Sequence, residues 1–374
     1  MEAFERSRVH AYFRHITDQL SAPHRPAVVL ITHLLPERPL FVTAVARLAS
    51  LAAVLPKPKS ADPAAVAEVA RVAPCDALYR HRLAQPDQAI AYLESRAAGQ
   101  DLIILDVGGY FAPALEAICG TFSGRLLGVV EDTENGLRRY LSLPKLPRPV
   151  FSVARSPLKD PEDFLVGQSV VFSAEALIRA RGDILQGRPA CVIGFGKVGS
   201  SIARMLHAKN VPVTVYDTDP VRMAQALAQG FRTAGRADAL AGAGIIVCAT
   251  GNMALTADDF PSVPNGAYIA SVTSADDELD LTGLASLYEQ HSAGEHLTRY
   301  STTGHYFYIL NSGNAVNFLH GACVGPFIYL VQAEILAGLA LLAVGDREPG
   351  LHECPDTIRQ NIASSWLRIF NADP

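Results

Sequence analysis

Ala190-Cys191-Val192-Ile193-Gly194-Phe195-Gly196-Lys197-Val198-Gly199 joins a short apolar run to a glycine-rich turn. A helical pattern follows, and a second apolar run over 211–216 ends on Asp217. Strand, turn, helix, strand and terminal acid are the parts of a dinucleotide-binding unit, in the order such a unit needs. Gly194 permits the tight turn, Gly196 lets a pyrophosphate approach the backbone, and Gly199 lets the helix pack on the strand. Lys197 and Val198 lie in the same turn, at the start of a helix whose free N–H groups favour anions. Asp217 is placed to accept hydrogen bonds from the adenosine ribose and to repel a 2′-phosphate. The expected cofactor is therefore NAD rather than NADP.

Working outward, 245–250 and 268–272 read as later strands of the same parallel sheet. The first of them runs into Thr250-Gly251-Asn252, at a strand end that lines the nucleotide crevice. Before residue 150, strands are expected over 28–32, 102–105 and 126–130, with helices over 41–55, 64–72 and 89–95. Prolines at 144, 147, 149, 157 and 161 mark a crossing between units, followed by a helical pattern over 163–181. The predicted fold is α/β: a doubly wound Rossmann-type domain over 181–325, and a second α/β domain over 1–180 to which 326–374 return.

Composition narrows the classes. The 374 residues are long enough for two cores, and at 18% charged and 49% hydrophobic the chain is less charged than soluble domains usually are. That favours subunit association, as a homodimer or homotetramer. A net charge of −5 without a Lys/Arg cluster argues against nucleic acid. The six cysteines include no CxxC pair and read as reduced, buried thiols. No residue spacing suggests a metal site. The start Met1-Glu2-Ala3-Phe4-Glu5-Arg6 lacks an apolar core, so a cytoplasmic location is expected. The apolar stretch 327–344 is interrupted by Gln332 and Glu334, and reads as a buried helix rather than a membrane span.

Several segments together resemble S-adenosylhomocysteine hydrolase, from about residue 33 to about residue 336. The fingerprint with Asp217-Thr218-Asp219-Pro220, the turn Ala249-Thr250-Gly251 and the acidic run 276–280 are similar to that family's NAD site. Asn317 resembles the asparagine that meets the nicotinamide amide. Leu105-Asp106-Val107-Gly108-Gly109 resembles the family's aspartate–glycine turn, and Glu131-Asp132-Thr133 its acidic, threonine-rich loop, which places Thr133 with the cofactor contacts. The segment 156–167 resembles the one carrying the catalytic lysine and aspartate, here Lys159 and Asp163, four apart and able to face each other. His33 and Glu37 fall where the family has its catalytic histidine and an adenine-contacting glutamate.

The resemblance implies transient oxidation of a ribose 3′-hydroxyl, loss of the acidified 4′-proton and of the 5′-substituent, and reduction back. Lys159 would take the hydroxyl proton, Asp163 would hold it, and His33 would act as acid or base. Glu37, Asp132 and His320 are the expected substrate contacts. Glu37 can equally cap the following helix, the segment 131–136 can be an Asx-type turn, and His320 can be a pocket group or a helix-start residue. His305 lies in an alternating stretch and reads as structural.

Departures from the family pattern alter the 5′ half-site more than the hydride-transfer half. Val107 replaces an aspartate, Ala154 and Phe164 replace asparagines, Gln168 a cysteine and Ser274 a histidine, and the terminal Lys/Tyr-containing tail is absent. Dehydration of an adenosine-like nucleoside is the expectation. An ordinary S-adenosylhomocysteine hydrolase, a nucleoside epimerase or oxidoreductase, and a silent NAD-binding regulator are the alternatives.

Overall fold

A computed structural model of the chain describes residues 2–20, 24–273, 275–321, 324–345 and 347–371. Cys323 and Ser274 lie outside the described residues. In chain order the strands are β1 (Ala27–Leu34), β2 (Ser50–Ala61), β3 (Asp101–Asp106), β4 (Arg125–Glu131), β5 (Pro149–Ser152), β6 (Ala190–Ile193) and β7 (Val213–Tyr216). They continue with β8 (Arg232–Thr233), β9 (Ile245–Cys248), β10 (Tyr268–Ser271), β11 (Glu289–Gly294), β12 (Leu297–Thr302), β13 (His305–Leu310) and β14 (Gly350–His352). The chain divides into two compact units, Met1–Lys159 with Pro326–Pro374, and Asp160–Gly325.

The first unit holds a six-stranded parallel sheet in the order β2-β1-β3-β4-β5-β14. Its central strands are almost unbroken apolar runs, such as Leu102-Ile103-Ile104-Leu105, because helices cover both faces. The strand order reverses between β1 and β3, and ligands of open parallel sheets gather at the carboxyl ends beside such a reversal.

One expected helix proved shorter. The helical segment is Arg38–Leu48, and the residues after it, expected to continue as helix to 55, form β2 instead. Ala53, Val54 and Leu55 are wholly buried beside β1. Pro56 and Pro58 in the same run deny a helix its N–H donors. Five apolar residues carry no period long enough to tell helix from strand, and sheet pairing decided the matter.

The apolar stretch near the end is the helix Ile328–Ala343, which packs on β3 and β4 of its own unit. Of its most apolar window, 83% is buried, so its hydrophobicity serves the core. Glu334 inside it is neutralised locally, bonded to Ser156 and to Arg359 Nε at 2.7 Å.

In the second unit, strands β8-β7-β6-β9-β10-β13 form a parallel sheet, extended by antiparallel β12 and β11. Numbered from β6, the parallel order is 3-2-1-4-5-6, the doubly wound Rossmann arrangement. The helix Asp160–Ala180 belongs to this unit, packed against the helix Lys197–Ala208. The boundary therefore falls at Lys159/Asp160 rather than near residue 180, because Val170, Val171, Ala174 and Ile178 share one core with β6 and β7.

Candidate functional site

The second unit builds its nucleotide crevice at the carboxyl ends of β6 and β9, where the strand order reverses. Gly194, directly after β6, has φ +95°, a conformation that side chains rarely adopt. A Cβ on Gly199 would sit 1.9 Å from the Gly194 carbonyl oxygen, so only glycine lets the helix approach this closely. Gly196 differs from both: a Cβ there would meet only the Arg222 guanidinium, at 3.2 Å. It occupies the N-cap of Lys197–Ala208 and no side chain caps that helix, so the N–H groups point into a small cradle with a cation beside it.

Asp217 sits across the turn. Its Oδ2 accepts from Phe195 N–H at 2.7 Å and its Oδ1 from Asp219 N–H at 2.9 Å. Each carboxylate oxygen has a second lone pair, which leaves room for ribose hydroxyls. Arg222, 3.7 Å from Asp217 Oδ2, was not singled out from the sequence. Its position in Asp219-Pro220-Val221-Arg222, one turn into the next helix, is the signal that could have found it.

Thr250, Gly251 and Asn252 are organised by a buried carboxylate. Glu278 accepts from Thr250 Oγ1 at 2.8 Å and from Gly251 N–H at 2.6 Å, while Thr250 Oγ1 accepts from Asn252 N–H at 2.9 Å. Burial raises the Glu278 pKa and these donors pull it back. Asn317 is buried, and its Oδ1 has no partner among the described residues. A buried amide oxygen left unpaired is costly unless a ligand donor completes it. The uncapped helix start, the Gly196 cradle and Asn317 thus fit a dinucleotide with a carboxamide at its far end.

Other expected residues are tied into this unit. Lys197 Nζ lies 2.8 Å from Asp160 Oδ1 and 4.0 Å from Asp163 Oδ2. Val198 packs on the apolar core. His320 Nδ1 bonds Ser173 Oγ at 2.9 Å, and its ring meets Phe172 edge-on. His305, read as structural, bonds Tyr288 Oη and the Val263 carbonyl.

The first unit gathers a second set at the carboxyl ends of its sheet. His33 lies one residue before the end of β1, Val107 follows β3, Asp132 follows β4, and Lys159 ends the turn Pro157–Lys159 after β5. Lys159 Nζ lies 3.2 Å from Asp132 Oδ1, with only 12% and 13% of the two side chains exposed. The His33 pKa is held well below 6.5 by burial first, then by Lys57, Arg38 and Lys159. Its Nδ1 bonds Ser60 Oγ. Glu37 stands at the N-cap of Arg38–Leu48 without a side-chain cap bond, its Oε1 3.7 Å from Arg38.

Glu131 orders this end of the sheet, a role the sequence reading missed. Its carboxyl accepts from the N–H groups of Gly108, Gly109, Asp132 and Thr133 and from Thr133 Oγ1. Thr133 Oγ1 also accepts from Gly136 N–H, capping Glu134–Leu141, so this hydroxyl serves its own unit. The segment 131–136 is therefore a capped helix start held by Glu131 rather than an Asx-type turn. Burial and Asp106 push the Glu131 pKa up to about 8. Buried Asp106 is raised too, and its Oδ1 has no partner among the described residues.

Residues 167–323 match the family model of the S-adenosyl-L-homocysteine hydrolase NAD-binding domain. Among solved structures, the chain is similar to a phosphoglycerate oxidoreductase from Vibrio cholerae O395, at 14% identity and TM-score 0.44, over 70% of this chain and 79% of that one. It is also similar to apo D-lactate dehydrogenase from Escherichia coli, at 14% identity and TM-score 0.39, over 70% and 78%. A glyoxylate reductase from Paecilomyes thermophila matches at 8% identity and TM-score 0.39, over 71% and 77%. The second unit is an NAD-binding domain, its cofactor is NAD(H), and the chain is an NAD-dependent enzyme.

Proposed function

We propose that this chain is a divergent relative of S-adenosylhomocysteine hydrolase that dehydrates an adenosine-like nucleoside through transient oxidation of a sugar hydroxyl. The observation that carries this reading is the half-buried trio in the first unit: Lys159 paired with Asp132, and His33 close enough for Lys159 to depress its pKa. When bound, NAD supplies a hydride acceptor that is regenerated at the end of the cycle.

Lys159 Nζ, as the neutral amine, receives the hydroxyl proton, and Asp132 holds the ammonium that forms. His33 is neutral at pH 7, because its pKa is held well below 6.5, so it is ready to take a carbon-bound proton. The same depressed pKa makes the resulting imidazolium a strong acid, suited to handing its proton to the departing hydroxyl. One residue thereby serves both halves of the elimination. The balance is loss of one water from the nucleoside with no net consumption of cofactor. Buried Val107, directly after β3, stands where the resemblance has a carboxylate, and the loss of that polar group disfavours ordered water and its readdition. Glu37 serves as the contact for an exocyclic amine of the base.

Incubating the protein with NAD and a panel of adenosine analogues, read by mass spectrometry, tests the proposal. Loss of one water from a substrate with a terminal hydroxyl is expected, and His33→Ala should stop it while hydride exchange with the cofactor continues. Efficient release of homocysteine from S-adenosylhomocysteine would instead make this an ordinary hydrolase.

A further inference from the structure

The end of β2 reads Leu55-Pro56-Lys57-Pro58-Lys59-Ser60-Ala61. Neither proline has an N–H to give the ladder, so regular pairing with β1 breaks here. The register shows the result. Thr32 pairs with Pro56 and Leu34 with Ala61, so two steps along β1 are matched by five along β2. The surplus residues form a bulge beside His33, closed by the Asp62 N–H on the Leu34 carbonyl at 2.7 Å. Bulges re-aim side chains, often beside functional sites.

The side chain re-aimed here is Ser60. Pro58 and Lys59 are exposed within the bulge, whereas Ser60 is buried. Its hydroxyl meets His33 Nδ1 and donates to the Lys57 carbonyl at 3.4 Å. Lys57 Nζ in turn donates to the Val107 carbonyl at 3.3 Å, which ties the bulge to the turn after β3. The Lys57 charge reaches both Asp106 and His33, and Arg38 and Lys159 also act on His33. A serine hydroxyl has one hydrogen to give. With that hydrogen on the Lys57 carbonyl, the oxygen can only accept from the ring. Nδ1 then carries the imidazole hydrogen and Nε2 keeps the lone pair.

We infer that Ser60 is a positioning residue, which holds neutral His33 as the Nδ1–H tautomer and so makes Nε2 the ring atom that takes and returns the proton. This rests on the reading above of His33 as base and acid of an elimination, and deepens it by naming the working atom. The C–H electron pair stays on the carbon beside the oxidised position as its proton moves to Nε2. That pair forms the alkene as the C–O bond to the terminal hydroxyl breaks. The hydroxyl leaves with the Nε2 proton as water, and His33 is neutral again. Nδ1 keeps its hydrogen throughout, donated to Ser60 Oγ.

The test is a two-bond nitrogen–proton correlation spectrum of the full chain, loaded with NAD and labelled at histidine nitrogen, near neutral pH. The His33 signals are those missing from His33→Gln. Histidine side chains in water prefer the hydrogen on Nε2, so an Nδ1–H signature is diagnostic. The wild type should show it. Ser60→Ala should shift the hydrogen toward Nε2 and lower kcat for loss of water on the order of tenfold, the worth of one hydrogen bond, with KM near wild type. Ser60→Thr keeps a hydroxyl and should restore both tautomer and rate, with thermal melts confirming the fold of each variant. An Nε2–H signature in the wild type overturns the inference, as does a Ser60→Ala protein with either tautomer or rate unchanged. If no adenosine compound loses water, the nucleoside reading fails and the spectra alone decide the role of Ser60. An Nδ1–H signature lost in Ser60→Ala then supports it, and any other pattern overturns it.

Discussion

Lys159 Nζ and Asp132 Oδ1, 27 positions apart in sequence, close a half-buried ion pair at 3.2 Å. The parallel neighbours β4 and β5 bring Asp132 to Lys159. Asp163, the carboxylate that sequence spacing offers to Lys159, lies in the unit that begins at Asp160, with Lys197 4.0 Å away. Lys159→Met should therefore retain NAD binding but lower substrate-dependent NADH formation by on the order of 10²–10⁴-fold. Asp132→Asn should give a smaller loss of the same kind. Stopped-flow absorbance of the reduced cofactor measures both, and wild-type rates in Lys159→Met would contradict the assignment.

The glycines of the fingerprint should separate by phenotype. Gly199→Ala forces a Cβ to 1.9 Å from a backbone oxygen, so it should lower stability by about 1–3 kcal/mol or more and weaken NAD binding as a consequence. Gly196→Ala meets only the end of Arg222, at 3.2 Å, so its melting temperature should stay near wild type while NAD affinity falls. Thermal melts beside NAD titrations distinguish the two. Equal destabilisation would mean that the Gly196 cradle is a packing feature.

Cofactor choice should turn on Asp217 and Arg222. With the carboxylate present, NAD should bind well ahead of NADP. Asp217→Ser removes the repulsion and leaves Arg222, previously 3.7 Å from Asp217 Oδ2, able to meet a 2′-phosphate. Fluorescence titration with both cofactors should show the preference narrowing, and Asp217→Ser with Arg222→Ala should lose the gain in NADP binding. An unchanged ratio in Asp217→Ser would show that selectivity lies elsewhere.

Asp106 and Glu131 should make stability fall as pH rises from about 4.5 to about 8. Both have folded pKa values raised above their unfolded ones, Glu131 from 4.5 to about 8. Between those limits the folded state holds more protons than the unfolded state, so stability declines as pH rises toward and through 8. Asp106→Asn keeps an oxygen for Phe111 N–H and Tyr140 Oη while removing one charge. Urea unfolding at several pH values between about 4.5 and 8 should show a shallower decline in that variant. Parallel pH profiles for variant and wild type would rule out the pair as the cause.

His33 should act with the opposite sign. Its folded pKa lies well below the unfolded 6.5, so its contribution is intact above that pH. The contribution declines as pH falls from there toward the folded value, where the unfolded chain alone takes up the proton. His33→Gln should flatten the acid limb of the stability profile over that interval, measured by the same unfolding experiment. An unaltered limb would place the titrating group elsewhere.

The sequence by itself determined what depends on near neighbours along the chain. The second unit's strand, turn and helix follow from glycine spacing and apolar runs over some thirty residues, so Gly194, Gly199 and Asp217 were legible without coordinates. His33 and Asp132 could be placed at strand ends because a parallel sheet carries every carboxyl end to one edge. Only the tertiary structure decided which charges meet and which are buried. The partnership of Lys159 with Asp132, the meeting of His33 with Ser60, and the backbone donors collected by Glu131 all join residues from separate strands and helices. No local period encodes these meetings. Strand pairing likewise turned 51–55 from expected helix into β2, and core packing moved the domain boundary to Lys159/Asp160. Local pattern fixes which conformations are cheap, while the sheet order fixes which distant side chains share a low-dielectric neighbourhood, and that sharing sets their charge and chemistry.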